Sequence, residues 1–210
     1  MGKLRSLALV PRRAPKQIID PIVGLIARTG LTPNHISIIG FAGNLGAAVL
    51  AARGEFLWAG VVMLLFSAMD MLDGALARAT GRATKFGAVF DATLDRMSEA
   101  ALLGGLCFYF VERGQTEQTV LCFAALAGSL LVSYVRAQTL SQGLDMQDGL
   151  FTRAVRVILL AVVLMIDQVR IGLWILAVLT SATVVQRLYV AWERLPKEAL
   201  SDELEKEQDS

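Results

Sequence analysis

Residues 56–95 read FLWAGVVMLLFSAMDMLDGALARATGRATKFGAVFDATLD, and the change of character at Asp70 decides what kind of chain this is. From Phe56 to Met69 there is no charge. Four aspartates then follow, Asp70, Asp73, Asp91 and Asp95, inside stretches that still read as helix. An apolar run of this kind suits a bilayer, where an ionised Asp at the centre costs roughly 2.5–3.5 kcal/mol on insertion scales. Four of them facing lipid would cost on the order of 10 kcal/mol. They therefore face a polar cavity, take up protons, or bind cations.

Spacing narrows the choice. Asp70 and Asp73 lie three apart and share one helix face, which Gly74 and Ala77 continue and Arg78 ends. Gly87, Asp91 and Asp95 recur at intervals of four, again one face, with about 6 Å of rise between the two carboxylates. A short turn joins the two helices, so they are expected to be antiparallel neighbours with their acidic faces meeting. Converging hard oxygen ligands suit Mg²⁺, Mn²⁺ or Ca²⁺ rather than Zn²⁺, and no His or Cys stands beside them. Two metals about 3.5–4 Å apart form a known clamp for displacement at phosphorus. The small residues Gly74, Ala77 and Gly87 leave bare backbone against which a flat group such as a nucleobase can lie. The plainer alternative pairs the aspartates with Arg78, Arg82, Lys85 and Arg96 in ion pairs that only pin helices. Bases are fewer than acids near the middle of that face. Gly40, Gly43, Gly104 and Gly105 read as ordinary close-packing positions of membrane helices.

The rest of the chain agrees with a bilayer. Of 210 residues, 55% are hydrophobic and only 19% charged, against about a quarter charged in soluble domains. Further charge-free runs cover 36–52, 119–135, 157–166 and 171–186. The fold class is therefore all-α and integral to a membrane. Six transmembrane helices are predicted, at about 34–52, 56–80, 84–111, 116–141, 151–167 and 170–192. Residues 1–30 predict an interfacial amphipathic segment broken by Pro11, Pro15 and Pro21, residues 31–195 the membrane domain, and 196–210 an acidic tail. Thr32 is placed to cap the first span, with Pro33 at its first helical position. Cations gather in the N-terminal segment, at 78–85, and at Arg153, Arg156, Arg194 and Lys197. The opposite side has Arg53, Arg113 and Arg170, each near an acid. By the positive-inside rule both termini and the acidic site are cytoplasmic in a cell membrane. A net charge of +1 gives no field for nucleic acid. No signal-peptide pattern is read at the start, Cys107 and Cys122 read as inert thiols, and His35 as a solvated turn residue.

Taken together, Asp70-x-x-Asp73-Gly74-x-x-Ala77-Arg78, eight residues, then Gly87-x-x-x-Asp91-x-x-x-Asp95 resembles the full signature of the CDP-alcohol phosphotransferase family, with every position present. The resemblance covers nearly the whole chain, because that family has six membrane helices after an interfacial one. It implies that an alcohol attacks the β-phosphorus of a CDP-linked lipid and CMP leaves. It assigns two Mg²⁺ or Mn²⁺ ions to Asp70, Asp73 and Asp91. Asp95 becomes the base that takes the hydroxyl proton, and also a metal ligand. Gly74, Ala77, Arg78, Thr84 and Gly87 are implied to hold the CDP-lipid, and a homodimer is implied as the assembly.

The acceptor is read from cations on the later helices. Arg136, Arg153, Arg156 and Arg187 are each costly in lipid, so an anionic ligand in the same cavity is a reasonable partner, and a phosphorylated alcohol supplies it. The alternative lets them reach the interface or lipid headgroups. Residues 90–96, 133–137 and 185–188 are similar to the bacterial phosphatidylinositol phosphate synthases, which implies that Ser133, Arg136, Arg156 and Arg187 bind inositol 1-phosphate. That branch usually has Lys where Arg136 stands, Arg where Gln138 stands, and a Glu-Arg-Pro-Glu-Arg run at 152–156. The runner-up acceptor is glycerol 3-phosphate, giving phosphatidylglycerophosphate. Outside enzymes, a metal-ion transporter also lines a cavity with carboxylates, but along a path to both faces, whereas these gather near one.

Overall fold

The structure, a computed structural model, describes residues 32–81, 83–146 and 151–195, excepting the side chains of Asp70, Met71, Asp73, Ala75 and Arg78. The predicted interfacial segment and the acidic tail lie outside the described residues. Six helices are seen among the described residues: α1 (Pro33–Arg53), α2 (Phe56–Ala79), α3 (Lys85–Glu112), α4 (Thr116–Ser141), α5 (Arg153–Met165) and α6 (Val169–Arg194).

Local chemistry sets the ends. Thr32 caps α1 by accepting from the His35 amide, and the His35 ring accepts from the Thr32 amide in return. His35 is thus a capping residue, and Pro33 follows where a missing N–H costs nothing. Thr84 caps α3 by accepting from the Gly87 amide at 2.9 Å. Four breaks close on glycines with positive φ, at Gly54, Gly81, Gly114 and Gly143, and Asp167 takes φ 55° at the fifth.

Packing partners form a closed circuit: α1 with α3, α3 with α4, α4 with α6, α6 with α5, α5 with α2, and α2 back to α1. Small residues permit the close approaches. A Cβ on Gly105 would lie 2.3 Å from the Ala48 carbonyl oxygen, and one on Gly43 would lie 2.1 Å from the Phe66 ring. Gly104 has nothing within 4 Å of such a Cβ, so the close-packing expectation holds for Gly43 and Gly105 but not for Gly104.

Along the helix axes the interior divides in two. The main apolar core takes Ala47 and Ala51 of α1, Ala59 and Met63 of α2, Leu102 to Phe110 of α3, Leu121 to Ala125 of α4, Leu160 to Leu164 of α5 and Val169 to Ala177 of α6. Apart from Phe151, these sit in the half remote from the 80–84 turn. The other half buries Ser98, Glu99, Ser129, Arg156, Thr183 and Arg187. Large apolar side chains such as Trp58, Leu65, Phe123, Val178 and Val185 face outward, as a lipid-facing surface requires.

Two expectations change in detail. The acidic helices α2 and α3 both lie along α1 and are not a closely packed pair among the described residues, so a gap separates them. Secondly, α5 has 13 residues, about 20 Å of rise, well short of a hydrocarbon core of about 30 Å. Three helices, Pro33–Arg53, Thr116–Ser141 and Val169–Arg194, are long and apolar enough to cross a membrane. The protein is an all-helical membrane protein.

Candidate active site

Among the described residues, two cavities open in the polar half. The first, about 200 Å³, is lined by Asp91, Asp95, Arg96, Glu99, Ser133, Arg136, Arg153, Arg156 and Arg187, among others. Every acceptor residue predicted from sequence is in that set. The second, about 220 Å³, is lined by Asn34 and Ser37 of α1, Gly74 and Ala77 of α2, and Thr84, Gly87 and Asp91 of the α3 start. Four of the five predicted CDP-lipid residues are there. The fifth, Arg78, has its side chain outside the described residues, as do Asp70 and Asp73 on α2. Asp91 lines both cavities.

Why the second cavity is smooth follows from its residues. Gly74, Ala77 and Gly87 expose backbone, and a Cβ at Gly87 would come within 3.0 Å of the Thr84 hydroxyl and 3.5 Å of the Asn34 side-chain oxygen. Glycine at 87 therefore keeps both the helix cap and the cavity open.

The first cavity is a charge array. Arg153 of α5 meets Asp95 at 2.5 Å, and the Asp95 side chain is 14% exposed. Arg156 is 2% exposed and holds Glu99 through two bonds, Nε to Oε1 at 2.8 Å and Nη2 to Oε2 at 3.0 Å. Its Nη1 also donates to the Phe151 carbonyl at 3.4 Å. Arg187 is 4% exposed and donates to the Val132 carbonyl at 2.5 Å, while its Nε has no partner among the described residues. Arg136 makes no ion pair among the described residues. Arg96 donates to the Ala92 carbonyl of its own helix, and Asp95 has an ion-pair partner in Arg153 of α5.

Sequence reading missed Glu99, Asn34 and Ser37. For Glu99 the signal was present, because Asp91, Asp95 and Glu99 continue one four-residue interval along α3. Asp91 and Asp95 stand one turn apart on α3 in the first cavity, and carboxylate oxygens of this kind suit Mg²⁺ or Mn²⁺.

Known proteins agree with this arrangement. The family model described as CDP-alcohol phosphatidyltransferase matches residues 30–188. A phosphatidylinositol phosphate synthase of Mycobacteroides abscessus is 34% identical over 190 residues, covering 86% of each chain. An archaetidylinositol phosphate synthase of Pyrococcus horikoshii is 35% identical over 181 residues, 86% of this chain and 94% of that one. The crystal structure of the Mycobacterium tuberculosis phosphatidylinositol phosphate synthase with CDP-DAG bound matches with a TM-score of 0.77 and 33% identity, covering 84% of this chain and 94% of that one. The same enzyme in complex with manganese and citrate matches with a TM-score of 0.77 and 32% identity, over 83% and 88%. The signature on α2 and α3, the helical circuit and these similarities converge, and the chain belongs to the CDP-alcohol phosphatidyltransferase family.

Proposed function

We propose that this protein transfers a phosphatidyl group from CDP-diacylglycerol to inositol 1-phosphate, releasing phosphatidylinositol phosphate and CMP. The observation that carries the reading is the shared wall at Asp91. On one side lies a cavity walled by the small residues Gly74, Ala77 and Gly87, and on the other a cavity holding Asp95 with five arginines. Donor and acceptor can then meet at one carboxylate cluster.

In this reading Gly74, Ala77, Arg78, Thr84 and Gly87 hold the CDP moiety. Ser133, Arg136, Arg153, Arg156 and Arg187 bind the acceptor phosphate, for which guanidiniums, buried at Arg156 and Arg187, are suited by their fixed fork of donors. Two divalent cations, Mg²⁺ or Mn²⁺, held by Asp70, Asp73, Asp91 and Asp95, supply charge neutralisation at the pyrophosphate. Asp95 takes the proton of the acceptor hydroxyl as its oxygen bonds to the β-phosphorus, and the bond from that phosphorus to the CMP oxygen breaks. The pair with Arg153 aims the Asp95 carboxylate.

The same reading carries six membrane crossings in residues 31–195, an interfacial segment at 1–30, a soluble tail at 196–210, cytoplasmic termini in a cell membrane, and a homodimer. The manganese-bound relative supports the metal, and the names of the relatives support the acceptor. The test is CMP release by purified protein with CDP-diacylglycerol and Mg²⁺ or Mn²⁺, comparing inositol 1-phosphate, glycerol 3-phosphate, free inositol and serine. Release with inositol 1-phosphate alone is expected. Release with glycerol 3-phosphate instead would keep the reaction and replace the acceptor.

A further inference from the structure

Two carboxylates of α3 and two guanidiniums of α5 form a pair of rungs. Asp95 and Glu99 are four apart on one helix, and Arg153 and Arg156 three apart on the other, so both pairs align at once. Since α3 and α5 are not closely packed among the described residues, these rungs cross the space that forms the first cavity. The Asp95 rung is partly exposed. The Glu99 rung is buried, with Arg156 at 2% and Glu99 at 7%.

A buried ion pair is a poor choice if the need is only to join two helices, because apolar side chains of similar volume often do so as well or better. What it does, and Leu or Met cannot, is aim hydrogen-bond donors. Arg156 spends Nε, one Nη2 hydrogen and one Nη1 hydrogen on Glu99 and the Phe151 carbonyl. The second hydrogens of Nη1 and Nη2 remain, on a side chain that lines the cavity. Glu99 also balances the charge of Arg156, as Asp95 balances that of Arg153. The lining then sets five arginines against Asp91, Asp95 and Glu99, and its positive excess, with Arg136 and Arg187 among the arginines that make no ion pair among the described residues, matches a phosphate monoester dianion.

We propose that Glu99 is a positioning residue of the acceptor site. It clamps Arg156 so that the remaining N–H groups of the guanidinium face the bound alcohol, and it leaves Arg136 and Arg187 to meet the phosphate. The proposal rests on the acceptor reading above.

The test uses the full chain in detergent, as Glu99→Gln, Glu99→Asp and the double variant Glu99→Leu with Arg156→Met. CMP release is measured against acceptor concentration at saturating CDP-diacylglycerol, and the reverse. Thermal midpoints and calorimetric binding of inositol 1-phosphate accompany the kinetics. Glu99→Gln is expected to raise the acceptor KM by about tenfold or more while the CDP-lipid KM stays within about twofold, with Glu99→Asp between it and the wild type. The double variant is expected to melt no lower than the wild type and still to show a raised acceptor KM and weakened calorimetric binding. Recovery of the wild-type acceptor KM in the double variant would make the pair a mere strut and overturn the proposal. So would a Glu99→Gln variant in which kcat and both KM values move together. If Glu99→Gln fails to fold, the other two variants decide by the same criteria. Wild-type turnover with glycerol 3-phosphate but not inositol 1-phosphate rejects the acceptor reading alone, and the KM comparison run with glycerol 3-phosphate then decides on Glu99. A wild type that uses no phosphorylated acceptor overturns both.

Discussion

Asp95 stands between a cation and the first cavity: Arg153 lies 2.5 Å from its carboxylate, and Asp91 lines the same cavity one turn earlier. A general base contributes typically 10²–10⁴-fold to rate, so Asp95→Asn should cut CMP release by about 10²-fold or more. CDP-lipid binding, read by calorimetry, should be largely kept. Full activity in Asp95→Asn would remove Asp95 from the role of base. The aspartates were legible from sequence because a charge in an apolar run carries a cost that something must offset. Glu99 was harder to read. Its partner Arg156 is 57 positions away, and no local pattern announces which of several arginines will turn inward to meet it.

At the scale of elements, adjacent Gly104 and Gly105 show what periodicity contributes. Both sit in the apolar part of α3, yet neighbouring residues on a helix point about 100° apart, so only one can face α1. Gly105 does, and a Cβ there would press on the Ala48 carbonyl oxygen, while Gly104 meets open space. Gly105→Ala should therefore lose about 1–3 kcal/mol through overpacking, seen as a lower melting temperature in detergent. Gly104→Ala should be neutral or gain up to about 1 kcal/mol from helix propensity. Equal effects at the two positions would contradict the packing described for α1 and α3. Helix boundaries were readable because their punctuation is chemical: the Thr32 cap, Pro33, and turn glycines that take positive φ. The shortness of α5 was less so, since an apolar run does not say where a helix must stop to bring Arg153 and Arg156 to Asp95 and Glu99.

For the whole molecule, the helical circuit separates an apolar half from a polar one, and the reading of orientation puts the polar half on the cytoplasmic side. Single cysteines at Gly81 and Gly114, in a chain with Cys107 and Cys122 replaced, test it. In intact cells a membrane-impermeant maleimide should label Gly114→Cys and spare Gly81→Cys until the membrane is opened. Labelling of Gly81→Cys from outside would invert the assignment. The sequence by itself determined the helical membrane class and the family, because bilayer cost and fixed helical spacing act on local stretches of chain. Only the tertiary structure decided that α2 and α3 straddle α1 with a gap between them, that Asp91 lines two cavities, and that Glu99 meets Arg156. Those are contacts between helices far apart in the chain, and they depend on which small residues let which helices approach.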